Sequence, residues 1–200
     1  MKIRCPWSSS SDLMRKYHDE EWGVPVHDEQ KHFEFLLLEC MQAGLSWSII
    51  LNKRESFRRT FAGFDCRTVA SFTSRYIDLL MLDRGIIRNR KKLEAAVGNA
   101  SCFKDIQREY GSFDAYLWGF TEGKVINHRL ESQEAAPTQN WLSHLLSKDM
   151  KQRGFRFVGS TTLYAHLQAV GVIQDHMVSC FRYREIIDRI PEEDIITDYS

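Results

Sequence analysis

The sequence predicts an all-α protein, and three observations carry that reading. Apolar residues recur on a helical period through most of the chain. β-Branched residues nowhere alternate with polar ones over a useful length, so strand signals are nearly absent. Glycines and cap-competent residues punctuate the periodic stretches where helices would stop and start. With 200 residues, 43% of them hydrophobic, the chain can bury a core in one domain or in two small lobes sharing one.

The elements follow in order. Asp28 is positioned to cap a helix bearing Phe33, Leu36, Leu37, Cys40 and Met41, which Gly44 would end. A second helix opens at Ser46 and carries Ile49, Ile50, Phe57 and Phe61 before Gly63. Short helices follow around Cys66 to Phe72 and Ser74 to Leu82. A longer one runs from Asn89 to about Tyr110, packing Leu93, Ala96, Val97 and Ala100, and Gly111 closes it. Another short helix carries Phe113, Tyr116, Leu117 and Phe120, and the polar stretch Thr121 to Pro137 reads as a loop. Thr138 is then expected to cap a helix bearing Trp141, Leu142, Leu145, Leu146 and Met150.

Composition narrows the function classes. No apolar run approaches the roughly 18 to 20 residues of a membrane helix, and Met1 to Trp7 is too short and polar for a signal peptide. The expectation is a cytoplasmic protein with no membrane association. Formal charge is zero, which argues against a polybasic nucleic-acid wrapper but not against a local basic face. Arg184 to Ser200 forms an acidic tail, with six acids against two bases, so the remainder carries about four net positive charges. Those charges cluster at Lys53, Arg54, Arg58 and Arg59; at Arg84, Arg88, Arg90, Lys91 and Lys92; and at Lys148, Lys151, Arg153 and Arg156. Each cluster reads either as a solvated helix face or as part of an anion-binding surface. Five cysteines in no regular framework fit a reducing compartment without structural disulfides.

Four constellations could carry chemistry. Cys5 and His18 stand near one end, and His176 and Cys180, four apart, near the other. If the latter pair lies on a helix, it faces one side and can chelate one ion. Alternatively, each is a buried cysteine beside an unrelated histidine. Glu39 lies inside an apolar run and is either on the wet side of its helix or buried, where it needs donors or a cation to stay ionised. Trp7, Tyr17, Trp22 and Trp47 are either core or a slot for a planar ligand with Glu39 at its edge. Finally, a basic helix breaks at Gly154, turns through Phe155 and Val158, and restarts after Gly159 with Ser160 or a following threonine as cap. Such a hairpin aims backbone N–H groups outward beside Lys151 and Arg153 and suits a phosphate; it also reads as an ordinary helical hairpin.

Several strings in these regions resemble a known family. They are Cys5-Pro6-Trp7, Tyr17 to Pro25, Gln42 to Trp47, Gly85 to Arg88, Arg153 to Gly159 and Asp175-His176. Over about residues 1 to 183, nearly the whole chain, they are similar to the bacterial DNA-3-methyladenine glycosylase I family of the helix-hairpin-helix glycosylase superfamily. The resemblance implies one glycosylase domain over 1–183, with two helical lobes around a base-binding cleft, and a separate tail over 184–200. It implies a structural zinc ion on Cys5, His18, His176 and Cys180, joining the termini. It implies a base pocket of Tyr17, Trp47 and the catalytic Glu39, lined or supported by Trp7 and Trp22. Gly44 and Leu45 match the segment that enters the duplex, and Gly154, Phe155, Val158, Gly159 and Ser160 match the backbone anchor. The implied partners are double-stranded DNA containing 3-methyladenine and the free base as product, with the protein acting as a monomer. The implied reaction is monofunctional, since no lysine occupies a recognisable nucleophile position. The chain departs from the family at Met14, where relatives usually carry a tyrosine whose hydroxyl helps bind the base.

Overall fold

A computed structural model describes residues 2–197. Among them are ten α-helices: α1 (Asp12–Glu20), α2 (Glu29–Gln42), α3 (Trp47–Thr60), α4 (Cys66–Ala70), α5 (Ser74–Leu80), α6 (Arg90–Tyr110), α7 (Phe113–Gly119), α8 (Trp141–Gln152), α9 (Ser160–Ala169) and α10 (Phe181–Ile187). The mostly helical class is therefore as expected, and several caps act as read. Asp28 accepts from the Lys31 amide and Asn89 from the Lys92 amide, while Gly111 closes α6 at φ +85°.

Helix α2 is the axis of the molecule. Every residue from His32 to Met41 is buried, because α2 packs against α3, α6, α7 and α9 on different sides. A helix covered all round has no wet face. An aromatic core of Phe33, Phe57, Phe61, Phe103 and Phe113 surrounds it, with Phe103 and Phe113 stacked at 4.2 Å.

Three readings need correction. Helix α8 is capped by Asn140, not Thr138: Asn140 accepts from the Ser143 amide while the Ser143 hydroxyl accepts from the Asn140 amide, a reciprocal box. Helix α9 starts after Gly159 itself, with no side chain capping it and Ser160 already inside the helix. The third is the stretch Thr121 to Pro137, read wholly as loop, in a molecule that is otherwise of the expected mostly helical class. Strands β1 (Val125–Asn127), β2 (Ile173–Gln174) and β3 (Ile195–Ile196) form a parallel sheet in the order β2-β1-β3. Strand β1 lies inside the stretch read as loop, and at two or three residues none of the strands is long enough to show an alternating pattern. Helix α10 runs through the start of the acidic tail, and β3 pairs with Val125 and Ile126. The last three residues of that tail lie outside the described residues.

Candidate active site and metal cluster

Helices α1, α2 and α3 each deliver one wall of a cleft of about 410 Å³. Tyr17 comes from α1, Glu39 from α2, and Trp47 from the first position of α3. Cys5, Trp7, Met14 and Trp22 complete that side; Leu130, Gln133, Thr138, Gln168, Asp175 and Met177 face it from the far side. The six residues expected in a base pocket thus all line one cavity. The far side came from no sequence signal except Asp175, because its residues lie in a loop and in α9, far along the chain.

Glu39 is buried and makes no hydrogen bond or ion pair with any described residue. Burial pushes its carboxyl up to about 8. The group is therefore uncharged at neutral pH until a cation enters. Tyr17 is likewise held unionised, by burial first and then by the nearby Glu39 and Glu21. Its ring stands 5.4 Å from that of Trp47, tilted by 51°. A planar base cannot be sandwiched between two rings already in contact, since stacking on both sides needs parallel faces about 7 Å apart. The two rings instead form adjoining walls. Met14 is buried and lines the same cavity, with its amide held by the Ser11 hydroxyl.

Beside the cleft the four sulfur and nitrogen ligands from the chain ends come together. Cys5, His18, His176 and Cys180 are all buried, and their donor atoms lie within 4.8 Å of one another. The Sγ of Cys180 is 3.4 Å from His18 Nε2 and 3.6 Å from His176 Nδ1, and Cys5 Sγ is 3.6 Å from that same Nδ1. A tetrahedron with metal–sulfur distances of about 2.3 Å and metal–nitrogen distances of about 2.0 to 2.1 Å has S–N edges of about 3.5 to 3.6 Å. The spacing fits a bound metal. The outer nitrogens are also fixed: His18 Nδ1 bonds Asp19 at 2.8 Å, and His176 Nε2 donates to the Trp22 carbonyl at 2.9 Å. Both imidazoles therefore aim their other nitrogen inward, where His18 Nε2 also lies 3.3 Å from the Cys5 amide. One expectation is corrected here. His176 and Cys180 sit in a turn ahead of α10 rather than on a helix, with the Cys180 amide bonded to the Met177 carbonyl. The neighbouring Asp175 carboxylate bonds His128 at 2.6 Å, Tyr164 at 2.5 Å and Gln168 at 2.7 Å rather than His176.

The hairpin between α8 and α9 is built from both sides. Gly154 at φ +96° lets the chain reverse, and Phe155 and Val158 anchor the turn in the core. Asn99 on α6 clasps the Arg156 backbone, accepting its amide at 2.8 Å and donating to its carbonyl at 2.9 Å; the Ser147 hydroxyl donates to the Val158 carbonyl. The turn thus presents the uncapped first turn of α9 at the surface, with Lys151 exposed nearby. Arg153 is a correction. Its three guanidinium nitrogens each already donate, to Asp149, Glu109 and the Tyr110 hydroxyl, so a phosphate would have to compete with two carboxylates. Between the cleft-lining Gln42 and Trp47, Gly44 is exposed at φ +80° and Leu45 half-buried, in a loop braced by Gln42 donating to the Leu45 carbonyl. Lys92, read as one of a basic cluster, is instead buried and donates to the carbonyls of Met41 and Ala43, capping α2 just ahead of that loop.

A helical fold with a buried, partnerless carboxyl in an aromatic cleft is built to hold a flat ligand. The chain matches the methyladenine glycosylase family model over residues 7–183. It is 42% identical over 180 residues to the DNA-3-methyladenine glycosylase of Haemophilus influenzae, covering 90% of this chain and 97% of that one. Among solved structures it is similar to a 3-methyladenine DNA glycosylase I, with a TM-score of 0.87 and 40% identity over 90% of this chain and 98% of the other. It is also similar to a tyrosine-to-phenylalanine variant of such an enzyme in complex with 3-methyladenine, with a TM-score of 0.87 and 36% identity over 89% and 96% of the chains. The chain belongs to the methyladenine glycosylase family, and its class is that of an N-glycosyl hydrolase.

Proposed function

We propose that this protein excises 3-methyladenine from alkylated duplex DNA, and the observation that carries the proposal is Glu39. A carboxyl buried without donors or a counter-charge is costly to ionise, and a cationic guest removes that cost. Adenine methylated at N3 within DNA is such a guest. The flat walls of Tyr17, Trp47, Trp7 and Trp22 suit its ring, and the cleft is large enough for the base and open to a nucleotide entering from a duplex.

The positive charge on the base makes it a good leaving group. The C1′–N9 bond breaks with its electron pair going to N9, which yields neutral 3-methyladenine. Water adds to C1′ and its proton passes to solvent, leaving an abasic sugar. An ionised Glu39 stabilises the cationic, flipped base and so selects the lesion over adenine. The proposed reaction is monofunctional, a reading supported by the lack of a lysine among the described residues that line the cleft. Gly44 and Leu45 fill the space the nucleotide leaves, and the first turn of α9, from Gly159 and Ser160, receives a backbone phosphate with Lys151 beside it.

The metal cluster suits zinc, given two thiolates and two imidazoles at tetrahedral spacing. Cys5, His18, His176 and Cys180 would hold it, and with four protein ligands it would supply folding energy rather than an open catalytic position.

The deciding experiment incubates the pure protein with methylated duplex DNA and measures the bases released, with a parallel borohydride-trapping arm. The expected result is free 3-methyladenine and no trapped protein–DNA adduct. Absence of base release sinks the activity, and a trapped adduct sinks the monofunctional step.

A further inference from the structure

We infer that Arg54 is a positioning residue for the base cavity, locking together the three helices that carry Tyr17, Glu39 and Trp47. The inference rests on the functional reading above and extends it to a group that touches neither base nor sugar.

Behind Tyr17, on the side away from the cleft, lies a cluster of five charged residues. The Arg54 guanidinium forks onto both oxygens of Glu21 at 2.7 Å each, and its Nε donates to Glu34 at 2.8 Å. Arg58 donates to the same Glu34 oxygen at 2.8 Å, and Lys31 bridges Glu21 at 3.1 Å and Glu34 at 3.3 Å. The Glu34 side chain is only 3% exposed and that of Arg54 12%. Burial opposes the charge on Glu21, but Arg54 and Lys31 outweigh it and hold that carboxyl at about 2.

The placement is specific. Glu21 stands four residues beyond Tyr17, just past the end of α1; Arg54 stands seven beyond Trp47 on α3; and Glu34 lies on α2 five before Glu39. Four and seven are helical repeats, so Glu21 and Arg54 lie one and two turns from Tyr17 and Trp47 on their sides of α1 and α3, while Glu34, five from Glu39, is turned to a different side of α2. Tyr17 is the partition: its side chain lines both the base cavity and the charged groove holding Glu21, Lys31, Arg54 and Arg58. Phe35 connects the two, lying 6.3 Å from the Tyr17 ring with the Arg54 guanidinium 5.5 Å above its own.

A buried ion network of this kind gains little net stability over an apolar packing of the same volume. What it fixes is geometry, because a planar fork satisfied at all three nitrogens permits one arrangement of its partners. Here those partners are α1 and α2, and the arrangement sets the tilt of Tyr17 against Trp47 above Glu39.

The test is a double-mutant cycle read by calorimetric binding of free 3-methyladenine, with thermal unfolding of each variant alongside. Arg54→Lys keeps the charge and loses the fork, and it is expected to weaken binding about tenfold, well below its melting temperature. In a Tyr17→Ala background the same change is expected to have no further effect, because its route to the base is gone. A tenfold loss that persists in that background, or binding by Arg54→Lys equal to wild type, overturns the inference while leaving the proposed function standing. Should Arg54→Lys fail to fold, Glu21→Gln, which breaks the fork from the other side, is read by the same two criteria. No binding by the wild type overturns the functional reading and this inference with it.

Discussion

Glu39 is uncharged in the free protein at neutral pH, and this has consequences of definite sign. Its carboxyl sits at about 8 when folded against 4.5 ordinarily. The folded state therefore holds a proton that the unfolded chain has lost between those values, so stability falls as pH rises through that window. The fall is on the order of 4 kcal/mol and flattens above pH 8. Chemical denaturation at pH 5 and pH 8 measures it, and Glu39→Gln is expected to remove most of the slope. Excision runs the opposite way. If the ionised carboxyl is the working form, kcat/KM on alkylated DNA rises about tenfold per pH unit below 8 and levels above it, and Glu39→Gln is slow at every pH. A flat profile in the wild type would show that ionisation of Glu39 does not matter. Periodicity alone could not place this residue, because a helix buried on all sides along that stretch gives its acids, Glu34 and Glu39, no wet face to choose. Arg153 shows the complementary limit: sequence reveals its charge, but its partners Glu109 and Tyr110 stand more than forty residues away.

At the scale of elements, the hairpin makes the sharpest prediction, since its two basic residues differ in what they already hold. Lys151 is exposed and unpaired among the described residues, whereas Arg153 ties α8 to the end of α6. Lys151→Ala is expected to reduce the slope of log binding constant against log salt by about one. Arg153→Ala is expected to leave that slope unchanged and to lower the melting temperature; salt titrations of DNA affinity on both variants check the pair. Helix positions were readable in the sequence because each buries a periodic face between strong punctuators such as Asp28, Asn89 and Gly111. The start of α8 was misplaced because Thr138 and Asn140 can both cap, and only the reciprocal bond with Ser143 selects one. The strands escaped notice because two residues carry no period.

For the molecule as a whole, the metal cluster is the joint between residues at opposite ends of the chain. Spacing showed two half-sites and nothing to say that they meet; the family resemblance supplied that, and the edges of the cluster agree with it. Cys180→Ser, or chelation, is expected to remove one metal per chain and to cost several kcal/mol of stability, read as a lower melting temperature with loss of bound metal by elemental analysis. An unchanged melting temperature in the metal-free protein would show that the ends are held by packing alone. The joint also sets a timetable. Most of this fold is made of helices that pack on near neighbours, which form quickly. The base cavity is different, since its walls include Cys5 at one end and Met177 at the other. A ribosome adding about 5 to 20 residues per second needs roughly ten to thirty-five seconds between those two positions. Once made, Trp7, Tyr17 and Trp22 wait through most of that interval for the residues of the far side, of which Met177 is the last. The cavity is thus completed only near the end of synthesis, with α10 and β3 still to follow.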